Sequence, residues 1–375
     1  MNDLGHYLAS RGHDVTVISS SPDGAQSRED GPVHQILRPQ RLKRLGRLRQ
    51  LNGFHAFAFE CRSVLMHREF DAVHCLNYHD AWGALRARKA LRARGGGDFR
   101  VVYQMTGVPV ARYFRSIPID ALMFREVVRS ADDVIVLSRF AADCLRGDFG
   151  REGVLLPSPT VTAPFEAEQR NPPPYPRILF VGDLDEPRKG AILLARAFAQ
   201  VRRDHPQAEL AYSGRCSETT RAAISAALPE DMRESVIFHG IGKVGDLPGL
   251  FASATVVVNP AIWEALGNVL IEALAAGTPV VGCNHAGIPD IIADPRIGAV
   301  FEPGETVAGA ASNVEGLARA LLQCIALAAQ PGTEALCRLR AHAFGWDRLG
   351  PAYEALLAGA AVSGPAGEAR ERIPA

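Results

Sequence analysis

Lysine is scarce in this chain. Only Lys43, Lys89, Lys189 and Lys243 stand among 41 basic residues, so a lysine where chemistry wants a compact cation carries unusual weight. Net charge is lacking as well: 41 acidic residues balance the basic ones, and with 47% apolar residues the composition is that of a soluble globular protein. No apolar run reaches the ~18 residues of a spanning helix and no signal peptide is visible, so no membrane crossing is expected. The seven cysteines, Cys61, Cys75, Cys144, Cys216, Cys283, Cys324 and Cys337, include no C-x-x-C pair and no zinc spacing. They point to a reducing compartment and to no metal cluster. At 375 residues there is room for two domains with sizeable cores.

Punctuation divides the chain. Residues 171–176, NPPPYP, read as a stiff extended linker. Ahead of it, short apolar strands at 15–18, 72–75, 101–104 and 134–137 alternate with helical stretches; behind it, 178–181, 209–212, 236–238, 255–258 and 280–283 do the same. That alternation implies an α/β protein with two Rossmann-like domains, 1–170 and 171–343, whose parallel sheets bind ligands at strand carboxyl ends. Residues 359–375, rich in Gly, Ala, Arg and Pro, are expected to be a disordered tail.

Residues 260–290, PAIWEALGNVLIEALAAGTPVVGCNHAGIPD, carry the most functional information. The β-branched run at 255–258 must stop at Asn259-Pro260, because proline has no ladder donor. Glu264 therefore lies in a loop just beyond a buried strand. Gly267 and Asn268 open a helix whose Val269, Leu270, Ala273 and Leu274 form a buried stripe, and Gly277 ends it. Free amides and the positive dipole end at Gly267 to Leu270 suit an anion, by about 0.3–1 kcal/mol. Two carboxylates would repel that anion if they touched it. Glu264 and Glu272 are therefore suited to accept hydrogen bonds from neutral hydroxyls on either side of it, a layout that fits a nucleotide sugar.

Pro260, Glu264, Gly267, Glu272, Ala273, Gly277, Pro279 and residues 280–287 resemble the E-x7-E region of retaining glycosyltransferases of the GT-B fold, family 4 (glycosyl transferases group 1). The resemblance covers roughly residues 3–358 and includes a closing helix at 344–358 that returns to the first domain. It implies transfer of a hexose from a UDP- or GDP-linked sugar to a carbohydrate, lipid-linked or small-molecule acceptor. Glu264 would contact the transferred sugar and Glu272 the ribose, with Leu266, Gly267, Asn268, Val269, Ile241 and Gly182 bordering the nucleotide. The donor phosphate itself would receive the acceptor proton, with no protein nucleophile, no tightly bound cofactor and no divalent metal requirement. Domain closure on the donor would exclude water.

Residues 178–190, ILFVGDLDEPRKG, form a strand, a polar loop and the start of a helix, where Arg188 and Lys189 can pair with phosphate oxygens. The family pattern has arginine where this chain has Asp183. Either Arg188 supplies the missing cation, or diphosphate binding is weakened, or a different donor is used. A literal G-x-G-x-x-G stands at Gly240, Gly242 and Gly245. Gly245 precedes Asp246 and Pro248 of a short helix, and no acid follows the next strand for a ribose, so a nicotinamide or flavin site is not expected.

The amino-terminal half resembles the family less. RGHDVTV at 11–17 matches a second strand, while a first strand and glycine-rich loop have no counterpart, which suggests a late start or an incomplete enzyme. Thr106 and Leu76 stand where relatives of this type often carry histidine. His79 and Asp80 are placed to reach the cleft, although a histidine there is more often structural, and His74 reads as a core residue. Ser138 is either the family's serine or a helix cap.

Charge is uneven: residues 1–170 carry 24 basic against 19 acidic residues, and 171–375 carry 17 against 22. Six basic residues between Arg38 and Arg49 alternate with leucines. Residues 38–51 suit an anionic membrane surface or a phosphorylated lipid; the plainer reading, a solvated arginine-rich helix, is favoured slightly. Nucleic acid is not expected, since no aromatic stacking set accompanies the charge. The expected protein is thus a cytoplasmic glycosyltransferase, with possible contact at the inner membrane face. Its rivals are a non-catalytic GT-B binding or partner subunit, or an epimerase or phosphorylase on the same fold.

Overall fold

The computed structural model describes residues 2–21, 26–39, 52–305 and 310–362. The chain forms two compact units, Met1–Pro157 with Leu349–Pro365, and Ser158–Arg348. The change of unit thus falls at Pro157, ahead of the 171–176 run that reads as the linker. Residues just before that run are anchored to the second unit: the Phe165 ring lies 5.6 Å from Phe251, and Arg170 donates to the Ala254 carbonyl at 2.8 Å. Most of the expected disordered tail, 363–375, lies outside the described residues, as does 40–51 of the basic segment.

The first unit holds strands β1 (Val15–Ser21), β2 (Gln26–Asp30), β3 (Val33–Pro39), β4 (Ala72–Cys75), β5 (Arg100–Gln104), β6 (Asp133–Val136) and β7 (Val154–Leu155). They make two sheets. In one, β3 lies between β1, parallel, and β2, antiparallel; the other runs β4-β5-β6-β7, all parallel. Helices α1 (Asn2–Ser10), α2 (Gly53–Leu65), α3 (Tyr78–Ala93), α4 (Pro118–Ser130) and α5 (Arg139–Phe149) fill the connections. Side-chain oxygens of Asn52, Asn77 and Ser138 accept first-turn amides at the starts of α2, α3 and α5. Each such cap contributes about 1 kcal/mol. Ser138, fully buried, is therefore accounted for as a cap.

Among the described residues, β1 and β4 each pair on one side only. A cavity of about 890 Å³ separates them, lined by Val15 and Val17 of β1, Val73 and Cys75 of β4, and Leu4 and Leu8 of α1. A strand leading into α1 would reach this slot by a right-handed crossover and lie parallel to both edges. A chain carrying an extended apolar segment of about five residues ahead of α1 is expected to join the two sheets and melt several degrees higher. Identical melting curves for the two chains would rule out strand insertion.

The second unit is doubly wound. After α6 (Ala163–Glu166) come β8 (Arg177–Val181), α7 (Ala191–Asp204), β9 (Glu209–Ser213), α8 (Glu218–Ala226), β10 (Val236–Gly240), α9 (Leu247–Ser253), β11 (Val256–Asn259), α10 (Asn268–Ala275), β12 (Val280–Cys283), α11 (Ile288–Ile291) and β13 (Gly298–Phe301). Helices α12 (Val314–Ala328), α13 (Thr333–His342) and α14 (Trp346–Leu357) follow. The six parallel strands are ordered β10-β9-β8-β11-β12-β13. Val256, Val257 and Val258 of β11 are fully buried, as a central strand covered on both faces requires. Leu194, Phe198 and Val201 of α7, spaced by four and three, bury one helical face in the core. The chain moves outward from β8 through β9 and β10, then returns to the other side of β8 as β11. The topological switch point, where such sheets bind ligands, therefore lies at the carboxyl ends of β8 and β11.

From Leu349 the chain belongs to the first unit again. There Tyr353 Oη donates to the Pro157 carbonyl at 3.3 Å, and Glu354 meets His13 Nε2 at 2.9 Å.

Candidate active site

The loops leaving β8 and β11 run side by side because their strands are paired, Ile178 opposite Val256 and Leu179 opposite Val257. The Ile262 amide donates to the Arg188 carbonyl at 3.3 Å, which links the two loops directly. Lys189 Nζ then donates to Glu264 Oε1, with 20% and 15% of the two side chains exposed. Arg188 Nη1 lies 3.6 Å from the same oxygen, while Nη2 donates to Glu186 Oε2 at 3.1 Å. The three residues expected to carry the chemistry thus meet at the switch point, although Arg188 is shared with Glu186, a partner that no motif indicated.

The loop after β12 supports Glu264 from behind. The Gly287 amide donates to the Glu264 carbonyl at 2.8 Å. Trp263 adopts a left-handed φ of 62° and sets its ring edge-on to His285 at 4.6 Å. His285 was not among the expected site residues, since a lone histidine after a strand has no distinguishing spacing.

Gly267, with φ 108°, caps α10 without a side-chain bond, so the helix start presents backbone amides. A Cβ there would lie 3.0 Å from Ile288. Leu266 is buried, Asn268 exposed and Val269 intermediate. Glu272, one turn inside, has its pKa raised from 4.5 to about 7 by burial. The folded chain therefore holds this proton more tightly than the unfolded chain does, and the resulting stability is lost as pH rises from about 4.5 to 7. A ligand hydroxyl that donates to the carboxylate form would gain over the upper part of the same range. Nucleotide-sugar affinity is expected to fall by up to about tenfold per pH unit below 7, and Glu272→Gln to flatten the profile. Titration calorimetry between pH 8 and 6 measures both, and a pH-independent affinity in the parent chain would exclude this role.

Asp183 is neutralised from an unexpected side. Arg215, in the loop after β9, donates from Nε to Asp183 Oδ1 at 3.3 Å, which lowers the pKa of Asp183 and raises that of Arg215. Asp185 accepts from Thr220 Oγ1 at 2.6 Å and from Ser217 Oγ at 2.7 Å and N at 2.9 Å, which pull its pKa to about 2. These bonds pin the Gly182–Lys189 loop to the neighbouring one. Arg215 could have been found only from the register of β8 and β9, where Val181 faces Ser213.

Ile241 is 78% exposed beyond β10. Gly240 has φ 69°, but a Cβ on Gly245 would meet nothing within 4 Å and one on Gly242 only Asp246 at 3.9 Å. The third glycine packs no helix onto the sheet, as a dinucleotide fingerprint would require. In the first unit, Thr106 is exposed, while His74, Leu76 and Asp80 line the slot between β1 and β4. Burial raises the Asp80 pKa to about 7. His79 is 3% exposed and turned onto Asp120 rather than presented to solvent.

Fold and site together define a two-unit α/β protein with a cluster of Lys189, Arg188 and Glu264 at the switch point of its second sheet. Residues 175–326 match the family model for glycosyl transferases group 1, and residues 1–157 the model for glycosyltransferase family 4. The chain belongs to this family of GT-B glycosyltransferases.

Its fold is similar to sucrose-phosphate synthase from Thermosynechococcus elongatus, with TM-score 0.74 and 22% identity over 96% of this chain and 92% of that one. Anabaena Alr3699/HepE in complex with UDP is similar at TM-score 0.63 and 16% identity, over 88% and 86%. The D-inositol 3-phosphate glycosyltransferase of Arthrobacter sp. (strain FB24) is 34% identical over 177 residues, 46% of this chain and 39% of that protein. Phosphatidyl-myo-inositol mannosyltransferase of Mycobacterium leprae is 34% identical over 141 residues, 36% of each. The matches thus span well under half the length of these two curated relatives. No helix among the described residues is long and apolar enough to cross a membrane.

Proposed function

We propose that this protein is a retaining hexosyltransferase that uses a nucleoside diphosphate sugar, UDP- or GDP-linked, and an acceptor hydroxyl. The observation that carries the reading is the meeting of Lys189 and Glu264 at the carboxyl ends of β8 and β11, beside the helix that bears Glu272. Without donor, Glu264 satisfies the lysine. A diphosphate lying against the start of α10 takes over Lys189, Arg188 and the first amides, which frees Glu264 for a sugar hydroxyl. Glu272 accepts from the ribose, and Gly182 and Ile241 border the nucleotide.

As the bond from the anomeric carbon to the phosphate oxygen breaks, negative charge builds on the diphosphate in front of cations already in position. The acceptor oxygen bonds the anomeric carbon on the face the diphosphate leaves. Its proton passes to a phosphate oxygen, so charge and atoms balance and configuration is retained. Lys189 and Arg188 supply the positive charge that a divalent ion supplies in other transferases, so the reaction needs none. The acceptor is a carbohydrate, a lipid-linked sugar or a small molecule. The seven free thiols favour a cytoplasmic location.

Purified chain incubated with UDP- and GDP-hexoses is expected to release nucleoside diphosphate, faster with an acceptor present, and NMR of the product to show the donor's anomeric configuration. No donor binding by the parent chain would overturn the reading and favour a partner-subunit role.

A further inference from the structure

Three helix starts in the first unit converge on one carboxylate. His55 is the third residue of α2, which Asn52 caps; His79 is the second of α3, which Asn77 caps; Asp120 is the third of α4. His79 Nε2 lies 2.7 Å from Asp120 Oδ1 and His55 Nε2 3.4 Å from the same oxygen. The three ligand atoms all lie within 4.8 Å of one another. The residues are 4%, 3% and 5% exposed, taken in chain order.

The two caps hold the Nδ1 edges of both rings. Asn52 Oδ1 accepts from the Phe54 and His55 amides and Asn77 Oδ1 from the His79 amide, so each asparagine turns its oxygen toward its histidine. Nδ1 of His55 is 3.0 Å, and Nδ1 of His79 2.8 Å, from these oxygens. For His79 this oxygen acceptor requires Nδ1–H, whereas His55 Nδ1 also lies 3.3 Å from the Asn52 amide, which donates to it in the other tautomer. In a neutral His79 ring Nε2 is then a lone pair that faces the Asp120 oxygen, and His55 Nε2 faces the same oxygen. His55 Nε2 is buried without a hydrogen-bond partner. Protonating both rings would make two imidazolium groups with centroids 4.6 Å apart, a costly pair of like charges out of water. One divalent cation accepts all three electron pairs at once.

We propose that His55, His79 and Asp120 bind a divalent transition-metal ion of the zinc type, through Nε2, Nε2 and Oδ1. Two imidazoles and one carboxylate select zinc, cobalt or nickel over magnesium or calcium. Asn52 and Asn77 fix the ring orientations, as outer-shell acceptors do in histidine metal sites. Tyr78 Oη donates to Asp120 Oδ1 at 3.0 Å and so helps to orient the carboxylate. The ion is a staple between the starts of α2, α3 and α4 and takes no part in the chemistry of the Lys189–Glu264 pair. Cysteine spacing gave no sign of it because no cysteine contributes.

The test uses the full chain, dialysed against a chelator and titrated with Zn²⁺ alone in the presence of a chromophoric competitor. One ion per chain is expected, with a raised melting temperature. His79→Gln and Asp120→Asn should each weaken Zn²⁺ binding at least about a hundredfold, and Asn77→Ala roughly 10–100-fold, with circular dichroism confirming the fold. Independently of any variant, Co²⁺ bound to the unmutated chain should give the visible absorption of a four-coordinate ion. Lack of stoichiometric binding, equal affinity in folded variants, or Co²⁺ without that absorption would each overturn the site and leave a proton-linked network.

Discussion

Replacing Glu264 with glutamine is expected to lower kcat by roughly 10²–10³ while leaving KM for the donor unchanged or reduced. The fall in kcat without a rise in KM follows from the geometry. Glu264 holds Lys189 in the absence of donor, so removing its charge releases the ammonium for the diphosphate and removes a carboxylate that the diphosphate has to approach. Ground-state binding therefore gains or stays level. What is lost is the oriented carboxylate against the sugar as the anomeric carbon becomes electron-poor. Steady-state kinetics of nucleoside diphosphate release measures both constants. Unchanged kcat in the glutamine variant would remove Glu264 from the mechanism, and a raised KM with normal kcat would make it a binding residue only.

Gly214→Ala is expected to destabilise the second unit by about 3 kcal/mol or more and to abolish donor binding. Gly214 follows β9 with φ 139°, and a Cβ there would lie 1.8 Å from the Gly182 carbonyl oxygen and 2.8 Å from its carbon. Both obstacles are backbone, so no rotamer relieves them. Gly182 donates to the Ser213 carbonyl at 2.9 Å, and Gly214 donates to that of Gly240 at 2.8 Å, so separating the strands breaks the bonds that align the β8 loop. That loop carries Lys189. Gly242→Ala, where the nearest atom to a Cβ is 3.9 Å away, serves as the near-neutral control. Chemical denaturation and nucleotide titration of the two variants decide the matter. A stable Gly214→Ala chain that binds donor would show that the loop tolerates displacement.

The expected parallel strands all occur, because short β-branched runs bounded by glycine and proline are their own signal. Strands β2, β3, β7 and β13 were not expected. β2, QSRED, has no apolar residue at all, and β7 is a two-residue edge pairing; both exist through their neighbours. The split of the first unit into two sheets followed the same logic, since pairing is decided by what lies alongside. Glu264, Glu272 and Lys189 were legible because their neighbours in sequence set the loop and helix that carry them. Arg215 was not, because its link to Asp183 crosses from one strand end to the next.

Local sequence determined the alternation of strands and helices, the helix start at Gly267 and the placement of two glutamates around it, all of which depend on contacts a few residues long. Tertiary structure decided which charges are neutralised and which polar atoms are buried together. Asp183 meets Arg215, Glu272 is raised by burial rather than by a charge, and His55, His79 and Asp120 meet although they lie on three helices. The reason is physical: propensity and capping act along the chain, whereas desolvation and Coulomb attraction act through space, between residues that only the packed sheets and helices bring together.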